Sequence, residues 1–255
     1  MTSSPASKKT ALVVGATGAT GRHVVAQLLG HADLEHVKVI VRSATKMRQS
    51  LKDLNCPDTS RLQILEASLL DLSDKELLQE TADVDVVISC LGHTLDWKGI
   101  YGHPRELVTD ATKRLTNALI EQKNESAKFI LMGSDGVAWE GNDDVRSFFE
   151  RCIISLIRFL IPPHRDNEKA AAYLLSQKSL EWVILRPTDL VDEAPSPSYT
   201  LYSKPQGSLF GSGTATRSYV AKAMVALATN KELWSQWKFK MPVLIDDKVE
   251  TKKTK

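Results

Sequence analysis

Cysteine is scarce in this sequence, and no apolar run is long. Three cysteines, Cys56, Cys90 and Cys152, stand among the 255 residues. Their odd number and their spacing argue against a disulfide framework and against a metal site, and predict reduced thiols. No stretch reaches the roughly 20 apolar residues of a membrane span. The opening "MTSSPASKK" also lacks the apolar core of a secretory signal, so we expect a cytoplasmic protein without a membrane span.

An excess of charge of one sign is also missing. The 33 basic and 31 acidic residues leave a net charge of +2, which gives no argument for binding to nucleic acid or to an anionic membrane. The 42% hydrophobic and 25% charged content is ordinary for a soluble globular protein. We predict a disordered N-terminus over 1–9, a single domain over 10–245 and a flexible tail over 246–255.

Short apolar runs alternate with amphipathic stretches along the chain. The runs predicted as strands are "TALVVG", "HVKVIVR", "RLQILEASLL", "DVDVVISCLG", "AKFILMGS" and "LEWVILRP". The stretches predicted as helices are "GRHVVAQLLG" with Gly30 as its end, "SATKMRQSLKDL", "SDKELLQETA" with a Ser73–Glu76 capping pattern, Arg105 to Gln122, "NEKAAAYLLSQK" and "RSYVAKAMVALATN". This alternation predicts an α/β fold, a doubly wound parallel sheet of the Rossmann type with a small C-terminal substrate-side region. A ligand is expected at the carboxyl ends of its strands.

Three glycines, Gly15, Gly18 and Gly21, follow the first predicted strand and precede the first helix. In a dinucleotide site the first glycine permits a tight turn, the second lets a diphosphate come close, and the third lets the helix pack on the strand. The helix N-terminus presents unpaired N–H groups to the phosphates. The position at the first strand–helix junction therefore favours a dinucleotide site over a glycine turn without a ligand.

The end of the second predicted strand selects between NAD and NADP. An acidic side chain there would bond the ribose 2′-hydroxyl of NAD, whereas an arginine accommodates the 2′-phosphate of NADP. This chain has Arg42 at that place, with Arg22 and Lys46 as further positive charges. The alternative is that Arg42 is a solvated surface residue. We predict NADP as the cofactor.

With these residues placed, the chain resembles the atypical, NmrA-like NAD(P)H-binding branch of the short-chain dehydrogenase/reductase superfamily, in the neighbourhood of the biliverdin and flavin reductases. The resemblance covers about 9–230 and rests on "VVGATGATG", "VRSATK", "CLG", "LMGS" and "SLEWVILRPTDLVD". Together with Gly21, it implies the following cofactor contacts: Gly15, Thr17, Gly18, Ala19 and Thr20 at the diphosphate, Arg42 and Ser43 at the 2′-phosphate, Ser68 and Leu69 at the adenine, Cys90, Leu91 and Gly92 at the adenosine ribose and pyrophosphate, and Gly133, Ser134, Pro187, Thr188 and Leu190 at the nicotinamide. Ser68 stands where the family usually has Asp.

The resemblance also implies a catalytic lysine, but the chain departs from the pattern. The superfamily's reductases pair a Tyr with a Lys four residues later, and the Tyr passes a proton to the substrate. Lys169 occupies the Lys position, whereas Arg165 stands four residues earlier and Tyr173 follows it. His164 and Ser134 are candidate replacements, so the predicted catalytic residues are Lys169, Ser134 and His164. Alternatives are Lys169 bonding only the nicotinamide ribose, and a proton from solvent.

The loop after the fourth predicted strand offers Tyr101 and His103 as further polar groups at the crevice. His93 and His103 are interpreted as ordinary loop residues, and Cys90 as a packing residue without a flanking base.

A long insert separates Ser134 from Lys169. In "SFFERCIISLIRFLIPP" the apolar residues recur at helical spacing, and Pro162 and Pro163 are expected to end that helix. Core packing is the favoured interpretation. A wall of an apolar substrate pocket, a dimer face and a membrane-surface contact are the alternatives. The segments expected on the substrate side are about 93–104, 135–165 and 191–215.

The function that these features predict is an NADPH-dependent reductase that transfers hydride to a small apolar carbonyl, enone or flavin-like substrate. The alternatives are a non-catalytic NADP(H) sensor that binds a protein partner, and a redox-neutral isomerase or cyclase on the same scaffold. The expected partner is a small apolar molecule and not nucleic acid, and the expected assembly is a monomer or homodimer.

Overall fold

The computed structural model describes residues 9–56, 58–93, 102–124, 126–143, 149–150, 153, 162–192, 197–207, 211 and 213–247. Its strands are β1 (Lys9–Val14), β2 (Leu34–Val41), β3 (Leu62–Glu66), β4 (Val86–Ser89), β5 (Lys128–Met132), β6 (Glu181–Pro187), β7 (Asp189–Val191), β8 (Tyr199–Tyr202), β9 (Thr214–Thr216) and β10 (Val243–Asp246). Its helices are α1 (Gly21–Leu29), α2 (Ala44–Asp53), α3 (Asp74–Thr81), α4 (Leu107–Glu121), α5 (Pro162–Ser176), α6 (Arg217–Thr229) and α7 (Lys231–Trp237).

Eight strands form the main sheet in the order β3-β2-β1-β4-β5-β6-β10-β8, and β7 pairs with β9 in a small second sheet. All neighbours in the main sheet are parallel except β10 and β8, which are antiparallel. The chain moves outward from β1 through β2 to β3, then returns to β4 on the other side of β1. This reversal opens a crevice between β1 and β4 at the carboxyl ends of the strands, where open α/β sheets bind ligands.

Both faces of the sheet are covered, which explains the continuous apolar runs of the strands. Side chains of neighbouring β1 residues point to opposite faces, so Ala11 and Val13 belong to one core cluster while Leu12 and Val14 belong to the other. Residues of α1, α2, α6 and α7 pack on the first face, and residues of α3, α4 and α5 on the second. The predicted doubly wound fold is confirmed.

Short sequence signals predicted the ends of two helices correctly. Gly30 ends α1, and Ser73 and Glu76 form the predicted capping box at the start of α3. Lys9 and Asp246, expected in the flanking segments, instead belong to β1 and β10. Five short elements, β7, β8, β9, β10 and α7, were not predicted, because their apolar patterns are too short to stand out.

The helix α5 begins at Pro162, whereas the sequence predicts its start at Asn167. Proline fits the first turn of a helix, where the backbone N–H has no partner within the helix. His164 therefore lies within α5 and not before it. Most of the predicted apolar helix that precedes Pro162 lies outside the described residues.

Candidate functional site

A cleft of about 540 Å³ opens at the carboxyl ends of β1, β2, β3 and β4. It includes the glycine turn after β1 together with the ends of the three neighbouring strands. The predicted site residues that line it are Gly15, Thr17, Gly18, Arg42, Lys46, Ser68, Leu69, Cys90, Leu91, Gly92 and His103. The residues that line it without having been predicted are Val14, Ala16, Ile40, Val41, Ala67, Leu70, Asp71, Pro104 and Leu107.

The glycine turn is shaped by two very close backbone contacts. Gly15 has a φ of +72°, and a Cβ there would lie 2.5 Å from the carbonyl group of Cys90, which directly follows β4. A Cβ on Gly21 would lie 2.2 Å from the carbonyl oxygen of Gly15, so α1 packs directly on the turn. Gly18 is less confined, with Gly15 O at 3.1 Å as its nearest neighbour, and its amide donates to that oxygen. The exposed Gly18 thus leaves the start of α1 open on the cleft side.

Positively charged side chains lie just after β2 and at the start of α1. Arg42 and Lys46 are exposed and line the cleft. A shallower depression beside it is lined by Thr17, Ala19, Arg22, Ser43, Thr45, Lys46, Gln49, Ser50 and Asp53. Ser43 caps α2 by accepting from the Lys46 amide, and its hydroxyl hydrogen remains available for donation. The buried Nε of Arg22 has no hydrogen-bond partner among the described residues.

The β3 side of the cleft carries an acidic group that the sequence did not single out. Ser68 and Leu69 lie at the cleft wall, and the exposed Asp71 lies three residues after Ser68. Arg114 of α4 holds this loop, because its guanidinium donates to the carbonyl oxygens of Leu69 at 3.1 Å and Leu70 at 3.0 Å. Asp71 therefore offers a carboxylate on the loop where Ser68 replaces the family's usual Asp.

The β4 side of the cleft is formed by Cys90, Leu91 and Gly92. Burial raises the pKa of the Cys90 thiol to about 12, so it stays protonated at neutral pH. This agrees with its interpretation as a packing residue. A Cβ on Gly92 would meet no atom of the described residues within 4 Å.

The residues expected at the nicotinamide lie at or just after the carboxyl ends of β5 and β6. The Gly133 amide donates to Leu185 O at 2.8 Å, and the Asp135 amide donates to Pro187 O at 3.1 Å, so the ends of these two strands stay paired. Thr188 is buried and donates to Leu244 O, while Leu190 belongs to β7. None of Gly133, Ser134, Pro187, Thr188 and Leu190 is among the described residues that line the cleft.

Ser134 and His164 both approach Gly136. A Cβ on Gly136 would lie 3.3 Å from Cε1 of His164 and 3.5 Å from Oγ of Ser134. Nε2 of His164 lies 3.3 Å from a carboxylate oxygen of Glu168, but their orientation does not make a hydrogen bond. The fold therefore brings these two predicted catalytic residues together, although they are 30 positions apart in the sequence.

Lys169 takes a different position. Its ammonium group pairs with the carboxylate of Glu106, just before α4. It lines a separate groove together with Arg165 and Glu168, and it is not among the described residues that line the cleft. Its role as a catalytic or ribose-binding residue stays a prediction.

Three further residues with predicted roles, Thr20, Gly21 and Tyr101, are not among the described residues that line the cleft. Thr20 is buried at the start of α1 without a side-chain capping bond, and Gly21 is buried behind it. Tyr101 lies outside the described residues.

Within the described residues, no group of three or more His, Cys, Asp and Glu side chains is arranged to hold a metal ion. No described helix has both the length and the apolar character needed to cross a membrane.

Sequence reasoning missed a buried pair, His93 and Asp166. Nε2 of His93 lies 2.8 Å from Oδ2 of Asp166, and both side chains are almost fully buried. Burial raises the pKa of the Asp166 carboxyl, but hydrogen bonds from His93, Thr109 and two backbone amides outweigh it, so the pKa is lowered. The 73 positions between the two residues left no local signal of this contact.

The fold and the glycine turn define a Rossmann-type dinucleotide-binding protein. A sequence model of the NAD(P)H-binding family matches residues 15–231, and the chain belongs to that family. The family resemblance drawn from the sequence is therefore confirmed. A comparison with curated proteins found no match.

Solved structures with the same fold include several reductases. A wide-type short-chain dehydrogenase/reductase from Veillonella parvula in complex with NADP is 17% identical, covers 93% of this chain and 94% of its own, and superimposes with a TM-score of 0.66. ChuY, an anaerobillin reductase from Escherichia coli, is 17% identical over 95% of this chain and 99% of its own, with a TM-score of 0.64. A candidate NADH-flavin reductase from Streptococcus pneumoniae is 16% identical over 94% of this chain and all of its own, with a TM-score of 0.64.

Proposed function

We propose that this protein is an NADPH-dependent oxidoreductase that reduces a small apolar carbonyl, enone or flavin-like substrate. The observation that carries the proposal is the position of Arg42, which lines the same cleft as Gly15 and Gly18 and directly follows β2. The cofactor-selecting position thus has a positive charge where an NAD site has a carboxylate. Arg22 and Lys46 support the same preference, since each adds positive charge beside the cleft.

Residues of the cleft and of the depression beside it suit three parts of a dinucleotide. The backbone amides at the start of α1 and the open surface of Gly18 suit the diphosphate, while Arg42, Lys46 and Ser43 suit a 2′-phosphate. Apolar side chains of Ile40 and Leu69 suit the adenine ring. When bound, the nicotinamide supplies hydride. The protein's part is to orient that ring, exclude water and provide a proton for the reduced substrate.

The substrate class rests on the apolar character of the cleft and on the relatives. Leu91, Pro104 and Leu107 line the β4 side, where a substrate would meet the cofactor. The names of the anaerobillin reductase and the candidate flavin reductase fit a conjugated acceptor. Ser134 and His164 are the proposed hydrogen-bonding and proton-donating groups, and Lys169 the proposed ribose contact. We also expect a cytoplasmic monomer or homodimer.

The test is a titration of the purified protein with NADPH, NADH and NADP⁺, for the wild type and for Arg42→Ala. NADPH is expected to bind more tightly than NADH, and the variant to lose at least about tenfold in NADPH affinity while NADH is little changed. Arg48→Ala is the matched control, because Arg48 is an exposed α2 residue that does not line the cleft. A screen of carbonyls, quinones and flavins follows. Equal binding of NADH, or no binding at all, overturns the proposal.

A non-catalytic NADP(H) sensor is the second candidate. The observation that favours it is the absence of the usual proton donor, since Arg165 stands four residues before Lys169 and Lys169 is paired with Glu106. A sensor should bind NADPH and NADP⁺ with different affinities, capture a protein partner in only one of these states, and give no turnover in the screen. Turnover of any acceptor contradicts it.

A further inference from the structure

A buried polar network joins three segments of the chain beside the cleft. Asp166 of α5 accepts hydrogen bonds from the Val108 amide at 2.8 Å and the Thr109 amide at 3.0 Å, both in the first turn of α4. The same carboxylate contacts Nε2 of His93, which follows β4. The Thr109 hydroxyl donates to the backbone carbonyl of Asp166 at 2.9 Å. Asp166 thus holds the end of β4 and the start of α4 against α5.

This network replaces a missing local cap. The residue that precedes α4, Glu106, makes no side-chain capping bond to the helix. The first amides of a helix need acceptors, and a negative charge there is favourable because of the helix dipole. Asp166 supplies both from another helix, although a buried carboxylate is costly unless it is paired and hydrogen-bonded. Such a cap ties the position of α4 to tertiary contacts instead of to its own sequence.

Both segments that Asp166 holds continue into the cleft wall. Gly92 precedes His93 and lines the cleft, and Leu107 precedes Val108 and lines it too. This wall lies beyond β4, on the opposite side of the glycine turn from Arg42 and the β3 loop. A dinucleotide whose phosphates lie at α1 and whose 2′-phosphate lies at Arg42 must place its other half along this wall.

We propose that Asp166 and His93 are positioning residues for the nicotinamide half of the cofactor. They act through Gly92 and Leu107, whose backbone they hold at the β4 wall. The adenine half of the cofactor would instead contact residues at the ends of β1, β2 and β3, which this pair does not position. The inference rests on the proposed function, because it presupposes that a dinucleotide occupies the cleft.

The experiment compares two probes by calorimetric titration of the full chain. NADPH carries both halves of the cofactor, whereas adenosine 2′,5′-bisphosphate carries only the adenine half. His93→Leu removes the donor to Asp166, and Asp166→Asn removes the carboxylate. For both variants we expect NADPH affinity to fall about tenfold, the size of effect typical of losing a hydrogen bond to a charged group. Affinity for the adenine-half probe should stay within about twofold of the wild type.

Two further variants separate positioning from general loosening. His93→Gln keeps an N–H donor at a similar distance and should restore most of the NADPH affinity. Thr109→Val is the matched control, because it removes a hydroxyl of the same network but keeps the carboxylate and its contact with His93. It should lower the unfolding temperature without changing the ratio of the two affinities.

The outcomes are distinct. A selective loss of NADPH affinity in His93→Leu or Asp166→Asn supports the inference. Parallel loss of both probes, or no loss of either, overturns it while leaving the proposed function intact. A wild-type protein that binds neither probe overturns the proposed function itself. If His93→Leu does not fold, Asp166→Asn and His93→Gln decide the matter by the same ratio.

Discussion

Arg186 and Asp143 form a two-point ion pair inside the protein. The Arg186 guanidinium, which is fully buried, lies 2.6 Å and 3.1 Å from the two carboxylate oxygens of Asp143. It also donates to Val137 O at 3.0 Å and to Met241 O at 2.8 Å. One side chain of β6 therefore holds the loop after β5, which begins with Gly133, and the segment that leads into β10.

Removing one partner of this pair should be costly. We expect Arg186→Met to lower the free energy of unfolding by about 3–5 kcal/mol, because it leaves the Asp143 carboxylate buried without its counter-charge. Urea unfolding followed by circular dichroism measures the change. The double variant Arg186→Met/Asp143→Leu should recover part of the loss. A single variant as stable as the wild type would show that the pair contributes little.

Substitutions of two glycines in the first turn should affect different properties: Gly21→Ala mainly the stability of the fold, and Gly18→Ala mainly NADPH binding. Gly21→Ala is expected to cost about 1–3 kcal/mol of stability, because its Cβ would lie 2.2 Å from the backbone oxygen of Gly15. Gly18→Ala should change stability by less than about 1 kcal/mol, since its nearest contact is 3.1 Å away. It should nevertheless weaken NADPH binding, because the methyl group would stand where the diphosphate must approach. Thermal unfolding and NADPH titration of both variants test the contrast, which fails if Gly18→Ala binds as tightly as the wild type.

The Asp166 network should make stability depend on pH in the acid range. Because the pKa of Asp166 is lowered from its usual 3.8, the ionised carboxylate stabilises the fold above that value. The contribution is lost as the pH falls through the lowered pKa. The difference in unfolding free energy between the wild type and Asp166→Asn should therefore be large at pH 5 and shrink towards pH 3 and below. Urea unfolding at these pH values measures it, and a difference that does not shrink contradicts the assignment.

The thiols of Cys56 and Cys90 should differ in reactivity. Cys90 is buried, with a pKa of about 12, whereas Cys56 is partly exposed. We expect iodoacetamide at pH 8 to alkylate Cys56 in the native protein and to leave Cys90 unmodified until the protein unfolds. Peptide mapping by mass spectrometry distinguishes the two sites, and denatured protein serves as the control. Rapid native labelling of Cys90 would mean that the β4 wall opens readily.

Features with short-range causes could be predicted from the sequence. The capping box of Ser73 and Glu76 lies within four residues, and the glycine turn lies between a strand and a helix that are adjacent in the chain. The apolar runs of β1 to β6 reflect burial on both faces of the sheet, so the strands and their parallel arrangement followed from the alternation of apolar runs with helical stretches.

Features with long-range causes could not be predicted. The insertion of β10 between β6 and β8 depends on pairings between segments more than 40 positions apart. The start of α5 was misjudged, because a proline pair is compatible both with the end of one helix and with the first turn of the next. Asp71 reaches the cleft because the loop after β3 is held by Arg114, which lies on α4.

The sequence by itself determined the fold class, the family and the dinucleotide turn, because each depends on residue periodicity or on a few neighbouring glycines. Only the tertiary structure decided which polar groups meet. The contacts of His93 with Asp166, of Lys169 with Glu106 and of Arg186 with Asp143 join residues 43 to 73 positions apart. For the two buried pairs, His93 with Asp166 and Arg186 with Asp143, the physical reason is that burial removes water from polar and charged groups, so each needs a partner from whichever segment the packing of the sheet brings beside it.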